Sequence, residues 1–297
     1  MPNIPASVKP LERLTVVDLT RYLPGPYCTR ILADLGAEVV KVEAPGGDPM
    51  RAVAWYELLN AGKRVVTLDL REDEGRRELD AILAGARVCV EGFRPSTARA
   101  MGVDAASLHA RHPHLVHCSI SGYGQSGADA ERAGHDINYQ GEAGLLGNPP
   151  SVPPLLIADM TAGLHAAIRI LAAIASPALA DVKPGVGPAI DVSLAAAASA
   201  WAPFIAPPTL RGHYACYNVY ETADGTWGAL GALERKFWDR FCRHVDKPAW
   251  APLQFAGDPV RRELLGDVAA LFTTRTLDDW SNELLPVDCC FSRVIER

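Results

Sequence analysis

Through the first half of the chain, short runs of β-branched residues alternate with segments of helical spacing, and few architectures accommodate that rhythm. Leu14–Leu19 is an apolar run that reads as a strand. Pro24-Gly25-Pro26 punctuates it, and Tyr27, Ile31, Leu32 and Leu35 then share one helical face closed by Gly36. Ala37–Glu43 is a second strand. Two parallel strands joined by a helix form a crossover unit, and ligands gather at the carboxyl ends of such strands. The pattern continues with a strand over Arg64–Leu70, a helix over Glu72–Leu83, a strand over Val88–Glu91, a helix over Thr97–Met101 and a strand over Leu115–Ser119, which ends at Gly122, Gly124 and Gly127. The expected class is α/β, with a largely parallel sheet covered on both faces. No GxGxxG opens a helix after the first strand, so the dinucleotide fingerprint is missing.

The second half changes texture. Residues 155–180 predict one long helix. Asp159, His165, Arg169 and Pro177 interrupt its apolar run, which argues for a buried helix over a membrane span. Ala189–Ala200 continue apolar, and Tyr214–Leu233 reads as a hairpin turning at Ala223-Asp224-Gly225. The remainder to Leu285 is helical, with Trp238, Phe241, Trp250 and Trp280 as core candidates. A boundary in the Pro203–Pro208 stretch divides the chain into a large domain, 1–204, and a smaller α+β domain, 205–297. With 48% hydrophobic and 22% charged residues the chain is globular in composition. A formal net charge of -6 argues against nucleic acid and anionic membranes as partners, and leaves room for a local basic pocket. The N-terminal stretch MPNIPASVKPLERL has no signal-peptide core, so a cytoplasmic location is expected. The seven cysteines are scattered without a CxxC, which indicates neither zinc nor disulfides. His109, His112, His114 and His117 share no helical face and Pro113 breaks their segment, so no metal is expected there.

Several stretches resemble the family III CoA-transferases. They are residues 32–45 (LADLGAEVVKVEAP), Asn60-Ala61-Gly62-Lys63-Arg64, Glu91-Gly92-Phe93-Arg94-Pro95, residues 119–127 (SISGYGQSG), residues 158–163 (ADMTAG) and Asp191-Val192-Ser193. Six motifs in the right order are specific where one would not be. The resemblance implies a Rossmann-like large domain, a small domain, and two chains interlocked like ring links, as a homodimer or with a related partner chain. It implies an acyl-CoA substrate, with no permanently bound cofactor, because coenzyme A arrives as part of the substrate. Gly134-His135-Asp136-Ile137-Asn138-Tyr139 and Gly231-Ala232-Leu233-Glu234 resemble the 2-methylacyl-CoA racemase branch. There the resemblance makes His135 catalytic with Glu234 as its helper, and Asp159 matches the essential aspartate of both branches.

By spacing alone, Asp159 stands where a helix N-cap belongs and would stabilise the helix by ~1 kcal/mol. The resemblance reverses that preference, and the two roles are compatible because a helix N-terminus favours a carboxylate. His135 reads as a loop histidine, and Glu234, beside Arg235 and Lys236, as a solvated charge. Yet imidazole titrates near neutrality, and racemisation needs a proton carrier on each face of a planar enolate. Backbone N–H groups at Asp159 and Met160 are candidate donors to the enolate oxygen. For the CoA phosphates the candidates are Arg21, Lys41, Lys63, Arg64 and Arg94, each at or near a strand end, with Gly122 and Gly124 allowing close backbone approach. Lysines and arginines are ordinarily surface residues, which is the competing reading.

Three departures stand out: a short Gly147–Pro154 loop between the His and Asp motifs, Pro188 where the family commonly has Gln, and an early C-terminus after Phe291. The leading expectation is an acyl-CoA epimerase. The alternatives are a CoA-transferase with Asp159 as nucleophile and a non-catalytic CoA-binding subunit.

Overall fold

A computed structural model describes residues 9–176 and 187–295. Its contacts divide the chain at Pro203–Phe204 into two compact units. The first unit is built on a six-stranded, all-parallel sheet. In chain order its elements are β1 (Thr15–Leu19), α1 (Pro24–Asp34), β2 (Glu38–Glu43), α2 (Trp55–Asn60), β3 (Arg64–Thr67), α3 (Asp73–Ala84), β4 (Val88–Glu91), α4 (Pro95–Met101), α5 (Ala105–Arg111), β5 (Val116–Ser121), α6 (Asp136–Glu142), α7 (Ile157–Ala175), β6 (Ala189–Ser193) and α8 (Leu194–Ser199). The sheet runs β3-β2-β1-β4-β5-β6, so strand order reverses between β1 and β4. A doubly wound sheet opens a crevice at such a switch point, outside the carboxyl ends of its strands.

The sequence accounts for this arrangement. β1 and β4 are central and buried nearly throughout, which is why they read as apolar runs with one buried carboxylate each, Asp18 and Glu91. Alternate residues feed opposite faces. Val16, Val88 and Val116 join Cys28, Leu32, Ala162 and Ala166 of α1 and α7. Val17, Leu19 and Cys89 join Leu79, Leu83 and Leu108 of α3 and α5. Each fully buried aliphatic side chain contributes ~1.5–3 kcal/mol of transfer free energy.

Two elements go beyond the sequence reading. The apolar stretch after residue 189 is first a strand, β6, paired in parallel with β5 from His117↔Ala189 to Ser121↔Ser193. Only then does it become a helix, at a cap where the Ser193 hydroxyl accepts from Ala196 N–H at 3.2 Å. The long helix ends at Ala175, and the expected continuation beyond Ser176 lies outside the described residues.

The second unit holds a three-stranded antiparallel sheet, β7 (Tyr217–Glu221), β8 (Trp227–Gly231) and β9 (Phe291–Arg293), in that order. Three helices accompany it: α9 (Arg235–His244), α10 (Val260–Phe272) and α11 (Leu277–Leu284). Its core is aromatic: Phe272 stacks on Tyr220 at 4.8 Å and meets Trp280 at 5.1 Å, with Trp238, Phe241 and Phe291 around them.

Candidate active site

The loops leaving β1, β4 and β5 surround a cavity of about 470 Å³, which the first turns of α6 and α7 complete. Both His135 and Asp159 line it. Asp159 is the third residue of α7. Its N–H donates to Asp136 Oδ1 at 3.0 Å, and Asp136 is the buried first residue of α6. Gln140, one turn along α6, binds the other Asp136 oxygen and donates to Leu155 O at 3.1 Å, just before α7. The two helix starts are thus joined by hydrogen bonds at two points. Burial and the neighbouring Asp136 carboxylate push the Asp159 carboxyl up to about 7. An aspartate in that range exchanges protons at neutral pH.

His135 is the extended residue at the start of α6, with φ -123°, and its N–H is held by Asn138 Oδ1 at 2.9 Å. Tyr139, on the next turn, is buried against the glycines of the rim. A Cβ at Gly122 would lie 2.6 Å from the Tyr139 hydroxyl, so Gly122 serves close packing at the cavity wall. Burial, Tyr123 and Asp159 raise the Tyr139 phenol to about 12. Gly124 has φ +88° and faces the Asp191 carboxylate, away from the cavity lining. The N–H groups offered by sequence as enolate donors are engaged: Asp159 N–H by Asp136, and Met160 N–H by Leu156 O at 3.0 Å. That part of the expectation fails, because both amides serve the start of α7.

The five basic candidates separate into two groups. Arg21 and Arg94 are exposed at the cavity, after β1 and β4. Arg21 lies over the rings of Tyr22 and Phe93, 5.9 Å from each centroid. Lys41 and Lys63 are buried. Lys41 Nζ meets Asp48 Oδ2 at 3.0 Å and Thr20 O at 2.9 Å. Lys63 Nζ meets Asp18 Oδ2 at 3.1 Å and Thr29 Oγ1 at 2.8 Å. Arg64 opens β3, at the sheet edge opposite the crevice, 3.8 Å from Glu38. Glu234 belongs to the second unit, where it is exposed and precedes α9. The strand-to-helix link before it is held by Gln254, whose amide donates to Ala232 O at 3.1 Å and Leu233 O at 2.8 Å.

Sequence reasoning passed over several residues. Asp136, Tyr139 and Gln140 sit within or beside a quoted motif, and helical spacing from His135 could have flagged them. Glu91 is fully buried beneath the β4 loop, where its Oε2 accepts from Phe93 N–H at 2.7 Å; burial above all raises its carboxyl to about 7. A second, apolar slot of about 130 Å³ lies beside the cavity and shares Arg21, Phe93 and Thr97 with it. Its floor is Leu19, Val42, Leu68 and Leu70, with Arg71 at its margin. It brings together side chains from β1, β2 and the segments that follow β3 and β4, which spacing along the chain does not reveal.

Comparison with known proteins shows what the chain is similar to. Residues 11–297 match the sequence model of CoA-transferase family III. The chain is 31% identical to succinyl-CoA–D-citramalate CoA-transferase of Chloroflexus aurantiacus, over 93% of this chain and 75% of that protein. It is also 31% identical to the human alpha-methylacyl-CoA racemase, over 96% of this chain and 78% of that one. The crystal structure of a CAIB/BAIF family protein from Brucella suis superposes with a TM-score of 0.82 at 29% identity, covering 97% of this chain and 84% of that one.

Proposed function

The chain belongs to CoA-transferase family III, and from that membership we propose that it is an acyl-CoA racemase that inverts the carbon beside the thioester carbonyl of a 2-methylacyl-CoA. The observation that carries this reading is the presence of two proton carriers of different type, Asp159 and His135, on one cavity at the switch point of the sheet. One removes the α-proton to leave a planar enolate. The other returns a proton to the opposite face, so the product differs from the substrate only in configuration. Asp159, raised to about 7, suits both halves of that exchange at neutral pH. Glu234 assists His135 in this reading, as the match to the racemase motif implies.

Coenzyme A enters with the substrate. The apolar slot floored by Leu19, Val42 and Leu70 suits its adenine, and Arg21 and Arg94, on the shared rim, suit its phosphates. The protein works as a dimer. An exposed stripe of Met160, Leu164 and Ile168, one helical turn apart on α7, supports a partner surface there. Seven unpaired cysteines suit a reducing compartment such as the cytoplasm.

A second reading is CoA transfer, in which the Asp159 carboxylate attacks the thioester carbonyl, releases CoA thiolate and holds the acyl group as an anhydride; the thiolate then attacks the aspartyl carbonyl, expels the donor carboxylate and leaves an aspartyl thioester. The likeness to a CoA-transferase over 93% of the chain favours it. The two readings separate in one experiment with a chiral 2-methylacyl-CoA in D2O. A racemase washes deuterium into the α-carbon without an acceptor acid. A transferase needs the acceptor and leaves a thioester on Asp159 that hydroxylamine traps.

A further inference from the structure

Two buried ion pairs lie directly under the cavity loop that follows β1, and they converge on one residue, Thr20. Asp18 Oδ1 accepts from Thr20 N–H at 2.9 Å and from Thr20 Oγ1 at 2.5 Å. Asp18 Oδ2 accepts from Thr29 Oγ1 at 2.5 Å and from Lys63 Nζ at 3.1 Å. Lys63 also donates to Pro26 O at 3.0 Å and Asn60 Oδ1 at 3.1 Å, which ties α1 and α2 to the same point. From the other side Lys41 Nζ donates to Thr20 O at 2.9 Å while paired with Asp48. Thr20 is therefore held through its amide, its hydroxyl and its carbonyl. Its side chain also packs against Gly25, where a Cβ would come within 2.2 Å.

The next two residues show what the clamp is for. Arg21 and Tyr22 both line the cavity that holds His135 and Asp159. Tyr22 has φ +66°, a conformation that bulky residues adopt only when the surroundings impose it. The surroundings here are Thr20 on one side and the start of α1 on the other, and both are fastened by the lysine network. Neither ammonium group is exposed: the side chains of Lys41 and Lys63 are at 0%. A phosphate ligand would need a free, outward-facing charge.

We propose that Lys41 and Lys63 are positioning residues, which hold Thr20 so that Arg21 and Tyr22 are presented to the reacting cavity, and that neither binds the phosphates of CoA. The proposal rests on the reading of the cavity as an acyl-CoA site, and one arm of its test is independent of that reading. That arm is limited trypsin digestion of the Lys41→Met variant without substrate, followed by mass spectrometry. Cleavage after Arg21 should accelerate about 10-fold over wild type, while cleavage at arginines of the second unit stays unchanged. The other arm compares kinetics and affinities. The turnover number should fall about 10- to 100-fold, as misplaced site loops cause, and KM should rise with it because Arg21 sits on the rim assigned to the CoA phosphates. In an Arg21→Ala background Lys41→Met should cost no further CoA affinity, because Lys41 acts through Arg21. If Lys41→Met does not fold, the double variant Lys41→Met with Asp48→Asn removes both charges and is read in the same way. Unchanged cleavage after Arg21 would overturn the proposal. So would a further fall in CoA affinity when Lys41→Met is added to Arg21→Ala, since that is the signature of a direct phosphate ligand.

Discussion

At the scale of single residues, the molecule sets two of its carboxyl groups, Asp159 and Asp18, to opposite ends of their range. Asp159 is raised to about 7 by burial and by Asp136. The carboxylate is needed to take a proton, so kcat/KM for the enantiomer that Asp159 deprotonates should rise through an apparent pKa near 7. A pH–rate profile measures this, and Asp159→Asn should abolish the exchange altogether. Asp18 goes the other way. Burial opposes its charge, but Lys63, Lys41 and the hydroxyls of Thr20 and Thr29 outweigh that and bring it down to about 2. Its folded pKa lies below the unfolded one of 3.8. The stabilisation, about 2 kcal/mol, is therefore complete above pH ~4 and is lost as pH falls toward ~2. Urea melts across that window should show the loss, and Asp18→Asn should remove it. Removing one partner of the buried pair should also cost about 3–5 kcal/mol at neutral pH, because it strands Lys63.

At the scale of elements, the site depends on how α6 and α7 begin. Asp136 accepts from Asp159 N–H and also repels its carboxylate. Asp136→Asn keeps an acceptor oxygen and removes the charge, so the limb of the pH profile assigned to Asp159 should move to lower pH. Burial still acts, so the limb should stay above 3.8, the ordinary aspartate value. Gly122→Ala should lower stability by about 1–3 kcal/mol, because the new methyl meets the Tyr139 hydroxyl; a thermal melt reads this directly.

Legibility followed the same elements. β1, β2 and β4 could be read in advance because parallel strands inside the sheet are buried on both faces and stand out by their paired valines or other apolar residues. β6 could not, because Ile190 and Val192 alternate with Asp191 and Ser193 inside a stretch that stands out only as apolar and rich in alanine. β9 has three residues and gains its identity only by pairing with β8. Lys41 lies within β2 and Lys63 just before β3, and spacing along the chain does not say that Asp48 and Asp18 will pair with them.

At the scale of the whole molecule, the parallel sheet supplies the crevice and its reversal of order selects where the crevice opens. Loops from β1, β4 and β5 bring arginines and close-packed glycines, and two helix starts bring the proton carriers. Size-exclusion chromatography with light scattering checks the proposed dimer: a single species of twice the 31.9 kDa chain mass is expected, and Leu164→Glu should lower its thermal stability. The central claim is that Asp159 and His135 exchange the α-proton of an acyl-CoA. Its most direct test is incubation of the purified protein with one enantiomer of a 2-methylacyl-CoA in D2O, followed by mass spectrometry, with Asp159→Asn and His135→Ala alongside. The account predicts one deuterium at the α-carbon, racemised product without an acceptor acid, and loss of both in either variant. A folded, CoA-binding protein that incorporates no deuterium, or one that incorporates it undiminished in both variants, would contradict it.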